Sequence, residues 1–129
     1  MAFVPLFGNR EDKAARKAAA EAEAKRLAAL PVSALAAELM PAFGPDGPGR
    51  GSRHEVNLLQ LANWLMRSFP GATKHLRDLE RPTREAVQAL EHAGLIERLG
   101  QHGIGQRFAA TRLGEAAIAD GSARQHLPG

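Results

Sequence analysis

Apolar residues recur along most of the chain at the three-to-four spacing of a helix, and two regions break that rhythm. After Phe3, Val4, Leu6 and Phe7 around Pro5, the pair Gly8-Asn9 makes a break. Asn9 is placed to cap a helix over about Arg10 to Leu30, with Glu11 and Asp12 suited to its positive end and Lys25 and Arg26 to its negative end. The interior, Ala14 to Ala29, is rich in Ala and poor in large apolar side chains, so helix propensity is high and anchorage in a core is weak. The helix is expected to project, either as a solvated face or as a dimer-forming or partner-binding one. Pro31 interrupts it, and Ser33 is expected to cap a second helix carrying Leu35, Leu39 and Met40 and ending near Phe43. The stretch Gly44 to Ser52, GPDGPGRGS, sustains neither helix nor strand and reads as a linker or loop. It lacks the preceding strand and the Lys-Ser/Thr ending of a Walker phosphate loop.

From His54 the helical pattern strengthens through Val56, Leu58, Leu59, Leu61, Ala62, Leu65 and Met66, with Trp64 as a large anchor, until Phe69-Pro70-Gly71 ends it. A short helical piece, Ala72 to Leu79, turns Leu76 and Leu79 inward and Lys74, His75 and Arg77 outward. Glu80 to Thr83 is expected to form a turn, with Pro82 in the first position of a new helix that runs to His92 and ends at a left-handed Gly94. The period then changes. Leu95 to Leu99 and Arg107 to Thr111 alternate as two strands around the glycine-rich turn GQHGIG, and Thr111 caps a last helix through Leu113, Ala116, Ala117 and Ile118. The predicted fold is mainly α with a small β-hairpin, an α+β arrangement. Its organisation is N-terminal helices over 1–43, a linker over 44–53, a compact domain over 54–120, and a tail over 121–129 that is small and polar enough to be disordered.

Composition narrows this picture. The chain has 129 residues, enough for one domain, and with 44% hydrophobic but only 5% aromatic residues its core must be built from Ala, Leu, Val and Ile. The absence of Cys excludes disulfides, thiolate nucleophiles and Cys-based metal sites. No run reaches the ~20 apolar residues of a membrane span, and the start has no basic region ahead of its apolar stretch, so a soluble protein without a secretory leader, acting in the cytoplasm, is expected. Residues 1–49 carry six Lys/Arg against six Asp/Glu, and residues 50–129 carry eleven against eight, which places the whole net charge of +3, and all five His, in the second part. A sequence pI near 10.0 favours a polyanionic partner with modest force.

Three helices followed by a hairpin are the parts of a winged helix-turn-helix domain. The stretch Arg81 to Arg98, RPTREAVQALEHAGLIER, resembles the recognition helix and first wing strand of bacterial winged-helix regulators. RFAATRLGEAAI, Arg107 to Ile118, is similar to the second wing strand and the Thr-x-x-Gly helix start of the MarR-like and PadR-like groups. The resemblance covers roughly residues 54–119 and leaves 1–53 unplaced. The long C-terminal dimerisation helix of related regulators is missing, which makes the first helix the candidate for pairing two copies. The resemblance implies a homodimeric, nucleoid-associated transcriptional regulator that binds double-stranded DNA, with helix 82–93 in the major groove and wing 96–111 on the backbone. With Ala86, Val87 and Leu90 facing inward, Thr83, Arg84, Glu85 and Gln88, together with His92, are left to meet bases. Arg bonds guanine and Gln bonds adenine through two atoms each. The phosphate-positioning set is Lys74, His75, Arg77 and Arg81 before the helix, and His102, Gln106 and Arg107 on the wing.

Other readings compete with this one. Glu85 and Glu91 share the helix, and carboxylates repel phosphates unless they accept from cytosine amino groups; a helix of mixed charge is also an ordinary solvated surface. Winged helices also serve as adaptors that dock on larger nucleic-acid-processing complexes, such as the transcription or replication machinery. Catalysis has the least support. His54, His75, His92, His102 and His126 lack metal-ligand spacing, no Ser sits in a G-x-S-x-G context, and no cofactor motif occurs. An effector pocket lined by Trp64, Phe43 or Phe69 competes with plain core roles for those rings.

Overall fold

The computed structural model describes residues 8–48, 55–69, 75–99 and 106–128, and of these the side chains of all but 8–11. Within them the chain forms α1 (Gly8–Ala29), α2 (Val32–Leu39) continued by a 3-10 turn (Met40–Phe43), β1 (Val56–Asn57), α3 (Leu58–Leu65) and α4 (Leu76–His92). β2 (Ile96–Leu99), β3 (Arg107–Ala110), α5 (Arg112–Asp120) and a 3-10 turn (Ala123–His126) complete it. The fold is mainly helical with a small antiparallel sheet, in which β3 lies between β1 and β2.

α4 is the central element, with α1, α2 and α3 all packed on it. Its buried residues Leu79, Thr83, Ala86, Val87 and Leu90 recur at helical spacing as one inward stripe that passes Pro82 without a break. The expected turn at Glu80 to Thr83 is therefore absent: Leu76 to Leu79 of the piece read over 72–79 and the piece read over 82–92 belong to one helix, and residues 72–74 lie outside the described residues. Pro82 cannot donate to the Asp78 carbonyl, which costs about 3 kcal/mol in a helix interior. Complete burial of Leu79 on one side and Leu90 on the other, each worth roughly 1.5–3 kcal/mol, offsets it. At its far end the Leu95 amide donates to Leu90 O and the Gly94 amide to Glu91 O, both at 3.0 Å, with Gly94 at φ 78° as the expected left-handed cap.

The start of the compact region also differs from the expectation of a helix from His54. Val56 and Asn57 form β1, with Val56 opposite Phe108 and Asn57 opposite Arg107 on β3. Asn57 then starts α3 with a capping box: its Oδ1 accepts from Gln60 N at 2.8 Å, and its own N–H donates to Gln60 Oε1 at 2.9 Å. The hairpin matches its expected place, with Ile96 opposite Ala110 and Leu99 opposite Arg107. Thr111 caps α5 as expected, accepting from Gly114 N at 3.1 Å.

α1 divides into two parts. Residues 12–19 are all exposed, so this stretch projects as expected, whereas Ala20, Ala24 and Leu27 are buried in the core. The helix already includes Asn9, which is therefore not its cap. The chain bends by 120° between α1 and α2, and the Arg26 guanidinium, bonded to Glu23 at 2.8 Å and to Glu38 at 2.9 Å, ties the two together. α2 begins after Pro31, so Ser33 lies inside it, and Ser33 Oγ donates to Pro128 O at 2.6 Å. That bond, with burial of Ala123 and Leu127, corrects the expectation of a disordered tail: the 3-10 turn Ala123–His126 packs on α2, and Pro128 is bonded to it. Of the linker read over 44–53, Gly44 to Pro48 form a compact turn in which Gly47 N donates to Gly44 O at 3.1 Å; residues 49–53 lie outside the described residues. Among the described residues no single helix is long and apolar enough to cross a membrane.

Candidate nucleic-acid interface

The stripe that buries one side of α4 exposes the other. Arg77, Glu80, Arg81, Arg84, Glu85 and Gln88 are all exposed and together line a shallow polar hollow of about 340 Å³. Arg84, Glu85, Gln88, Arg77 and Arg81 thus stand where the sequence pattern puts them, on one uncovered face, and exposed His92 lies near its end.

Thr83 does not. It is completely buried, with its Oγ1 unpartnered, and cannot meet a base. Its spacing puts it inward whether the helix starts at Pro82 or at Leu76: Thr83 lies three residues before Ala86, four before Val87 and four after Leu79, inside the apolar stripe, which corrects its expected place on the outer face. His75 is also buried, at 7% exposure, with Nε2 unpartnered and Nδ1 4.0 Å from Asp78, so it does not face a backbone phosphate. Its place just before the first turn of α4 directs it inward. Lys74 and His102 lie outside the described residues. Gln106 is half-buried at the foot of β3, and Arg107 is exposed.

The electrostatics of this face are balanced. Arg84 Nη2 bonds Glu80 Oε1 at 3.1 Å, and Arg81 Nε lies 3.8 Å from Glu85 Oε2, both one turn apart on the same helix. On the sheet, Arg107 Nη1 bonds Glu55 at 3.0 Å. Arg98, absent from the contact set expected from the sequence, bonds Glu91 at 3.1 Å and covers the buried Phe108 ring, joining β2 to α4. The alternation of β2 is a usable signal for Arg98, since it stands opposite Phe108 on the same side of the sheet. Chemically the α4 face offers guanidinium forks for guanine or phosphate, an amide for adenine, and carboxylates that accept from amino groups.

A second feature borders this face. Leu58, Leu59, Ala62 and Leu76, with Arg77 and Glu80 at the edge, line an apolar groove of about 360 Å³ between α3 and α4, and Leu59 is 61% exposed there. The aromatic rings considered for an effector pocket have other surroundings. Phe43 is buried beside Ala110 and Ile118, Phe69 packs on the core, and half-buried Trp64 carries the Arg67 guanidinium 3.6 Å from its ring centre. Among the described residues no cluster of three or more metal-binding side chains occurs.

Comparison of the chain with protein-family models, with curated proteins and with solved structures finds no match.

Proposed function

We propose that the chain is a DNA-binding transcriptional regulator of winged helix-turn-helix type, with α4 in the major groove and the β2–β3 hairpin beside the backbone. The observation that carries this reading is the outer face of α4: Arg77, Arg81, Arg84, Glu85 and Gln88 exposed together on a helix whose opposite side is locked into the core. The element order supports it. Helix, strand, helix, helix and hairpin follow one another from α2 to β3, and the strand order β1-β3-β2 suits a wing folded against the short first strand. In this assignment α2, α3 and α4 are the three helices, in place of the set expected from the sequence. Arg84 and Gln88 are assigned to base edges, with Glu85 accepting from amino groups; Arg77, Arg81 and Arg107 are assigned to phosphates.

Two copies belong to the proposal. One recognition helix reads only a few base pairs, and a two-fold pair reads two half-sites. The exposed stretch of α1 is the part assigned to pairing, and the cytoplasmic nucleoid is the assigned place of action.

A protein-binding adaptor is the second reading, favoured specifically by the apolar groove at Leu59 and by the carboxylate partners that occupy Arg84 and Arg107. The two readings separate in an NMR titration of the full chain with a random-sequence duplex. DNA binding moves amide signals over residues 77–88 and 98–107. Absence of any movement there, at low salt, contradicts it and leaves the groove of residues 58–62 as the surface to pursue.

A further inference from the structure

We propose that Glu80 and Glu85 are specificity-determining residues of α4: each withholds an arginine from generic phosphate and yields it where a G·C pair offers a cytosine amino group. This inference rests on the DNA-binding reading above and adds a rule for which duplexes are accepted.

Both carboxylates lie on the outer face of α4, and each is paired within the helix, Glu80 with Arg84 at 3.1 Å and Glu85 with Arg81 at 3.8 Å. All four side chains are exposed, and these pairs join residues of one helix, so neither pair ties α4 to another element. Exposed pairs of this kind contribute little to stability. Their consequence for a polyanion is larger. A guanidinium bonded to a carboxylate has fewer donors left for phosphate, and the carboxylate places a negative charge toward the duplex. Counterion release, which drives non-specific binding, scales with the cations that actually neutralise phosphates. As paired, this face gains less from a generic backbone than its arginines alone would allow.

A G·C pair changes the balance. In the major groove cytosine N4 donates, while guanine O6 and N7 accept. At such a pair Glu80 can accept from the cytosine amino group while Arg84, one helical turn away, turns to the guanine edge; Glu85 accepting in the same way releases Arg81 to the neighbouring phosphate. Each mutual pairing is then exchanged for two contacts with the duplex. An A·T pair offers an adenine amino group but no two-acceptor edge for the arginine, so the exchange is incomplete.

The test compares the full-length protein with its E80Q/E85Q variant, which keeps side-chain size and removes both charges. Binding is read by fluorescence anisotropy on a random-sequence duplex and on the sequence that the unaltered protein selects from that pool. The variant is expected to bind the random duplex about tenfold tighter at low salt, about threefold from each pair, with selected-over-random discrimination reduced by a similar factor. The selected sequence is expected to carry G·C pairs where α4 docks. Unchanged affinity for the random duplex, or equal weakening on both duplexes, overturns the proposal while leaving DNA binding in place. Failure of both proteins to bind any duplex overturns the DNA reading itself. If the double variant melts early, E80Q and E85Q measured singly, each expected to give the threefold gain, decide the same question.

Discussion

Gly114, near the start of α5, sets its bare α-carbon against the Leu95 carbonyl so closely that a Cβ there would stand 1.9 Å from the oxygen. The same carbonyl accepts from Thr111 N at 3.0 Å, while Thr111 Oγ1 accepts from Gly114 N and donates to Gly94 O at 2.6 Å. Thr111 and Gly114 therefore join the start of α5 to the turn between α4 and β2, which gives the Thr-x-x-Gly pattern a physical reason. Gly114→Ala is expected to lose about 1–3 kcal/mol in urea unfolding, because backbone rather than a flexible side chain must move. Thr111→Ala is expected to lose about 1–2 kcal/mol and Thr111→Ser much less, since the serine hydroxyl keeps the cap.

Pro82 supplies a prediction with the opposite sign. It sits inside α4, where its missing N–H leaves the Asp78 carbonyl without a helical donor. Pro82→Ala is expected to raise stability by about 1–2 kcal/mol, the helix gain being reduced by greater freedom of the unfolded chain. Thermal unfolding checks this. A lower melting temperature for the variant would place Pro82 at the start of a separate helix.

The last turns of α1 should be acid-sensitive. The bond from Arg26 holds the Glu23 carboxyl below its ordinary range, and Arg26 in turn is held above its own by Glu23 and Glu38. Glu23 binds a proton more weakly in the folded state, so its contribution is fully present above the ordinary glutamate pKa and is lost as the pH falls through the depressed one. Amide exchange over Ala20 to Leu27 is expected to speed up across that acid window. Arg26→Met is expected to speed it at neutral pH and flatten its acid dependence, at a stability cost of about 1 kcal/mol or less because the groups are partly exposed.

Arg84 and Arg107 should separate base reading from backbone contact. Arg84→Ala is expected to cost about 1–3 kcal/mol on one preferred sequence and to relax selectivity there. Arg107→Ala is expected to weaken all duplexes alike and to lower the salt slope by about one. Equal effects of both changes on every sequence would remove Arg84 from direct readout.

Features set by local chemistry are legible in the sequence. Gly94 needs a left-handed backbone, Thr111 is a cap, and the two strands alternate on either side of the glycine-rich sequence GQHGIG, so β2, β3 and α5 fall where their residues predict. Features that depend on distant partners are not. β1 is two residues long, too short to show alternation, and forms because Phe108 and Arg107 lie opposite it. The C-terminal segment looks polar but is held by Ser33 and by burial of Leu127. At Pro82 local propensity argues for a break, and tertiary burial of Leu79 and Leu90 prevails. Of the candidate site, the exposure of Arg77, Arg81, Arg84, Glu85 and Gln88 is readable from the positions of Ala86, Val87 and Leu90. The burial of Thr83 is legible in the same positions, three residues before Ala86 and four before Val87, a spacing that its expected outward placement left out of account. The partnership of Arg84 with Glu80 is written in their i,i+4 spacing.

Contact between the outer face of α4 and a nucleic-acid duplex is tested most directly by fluorescence anisotropy. A labelled random-sequence duplex is titrated with the full chain at low and at near-physiological salt. Binding is expected at low salt and should weaken steeply as salt rises, with a slope equivalent to several phosphate contacts. That slope should fall when Arg77, Arg81 and Arg107, the residues assigned to phosphates, are replaced together by Ala. No binding at low salt, or binding indifferent to salt and to those three replacements, would contradict a DNA-reading role for α4.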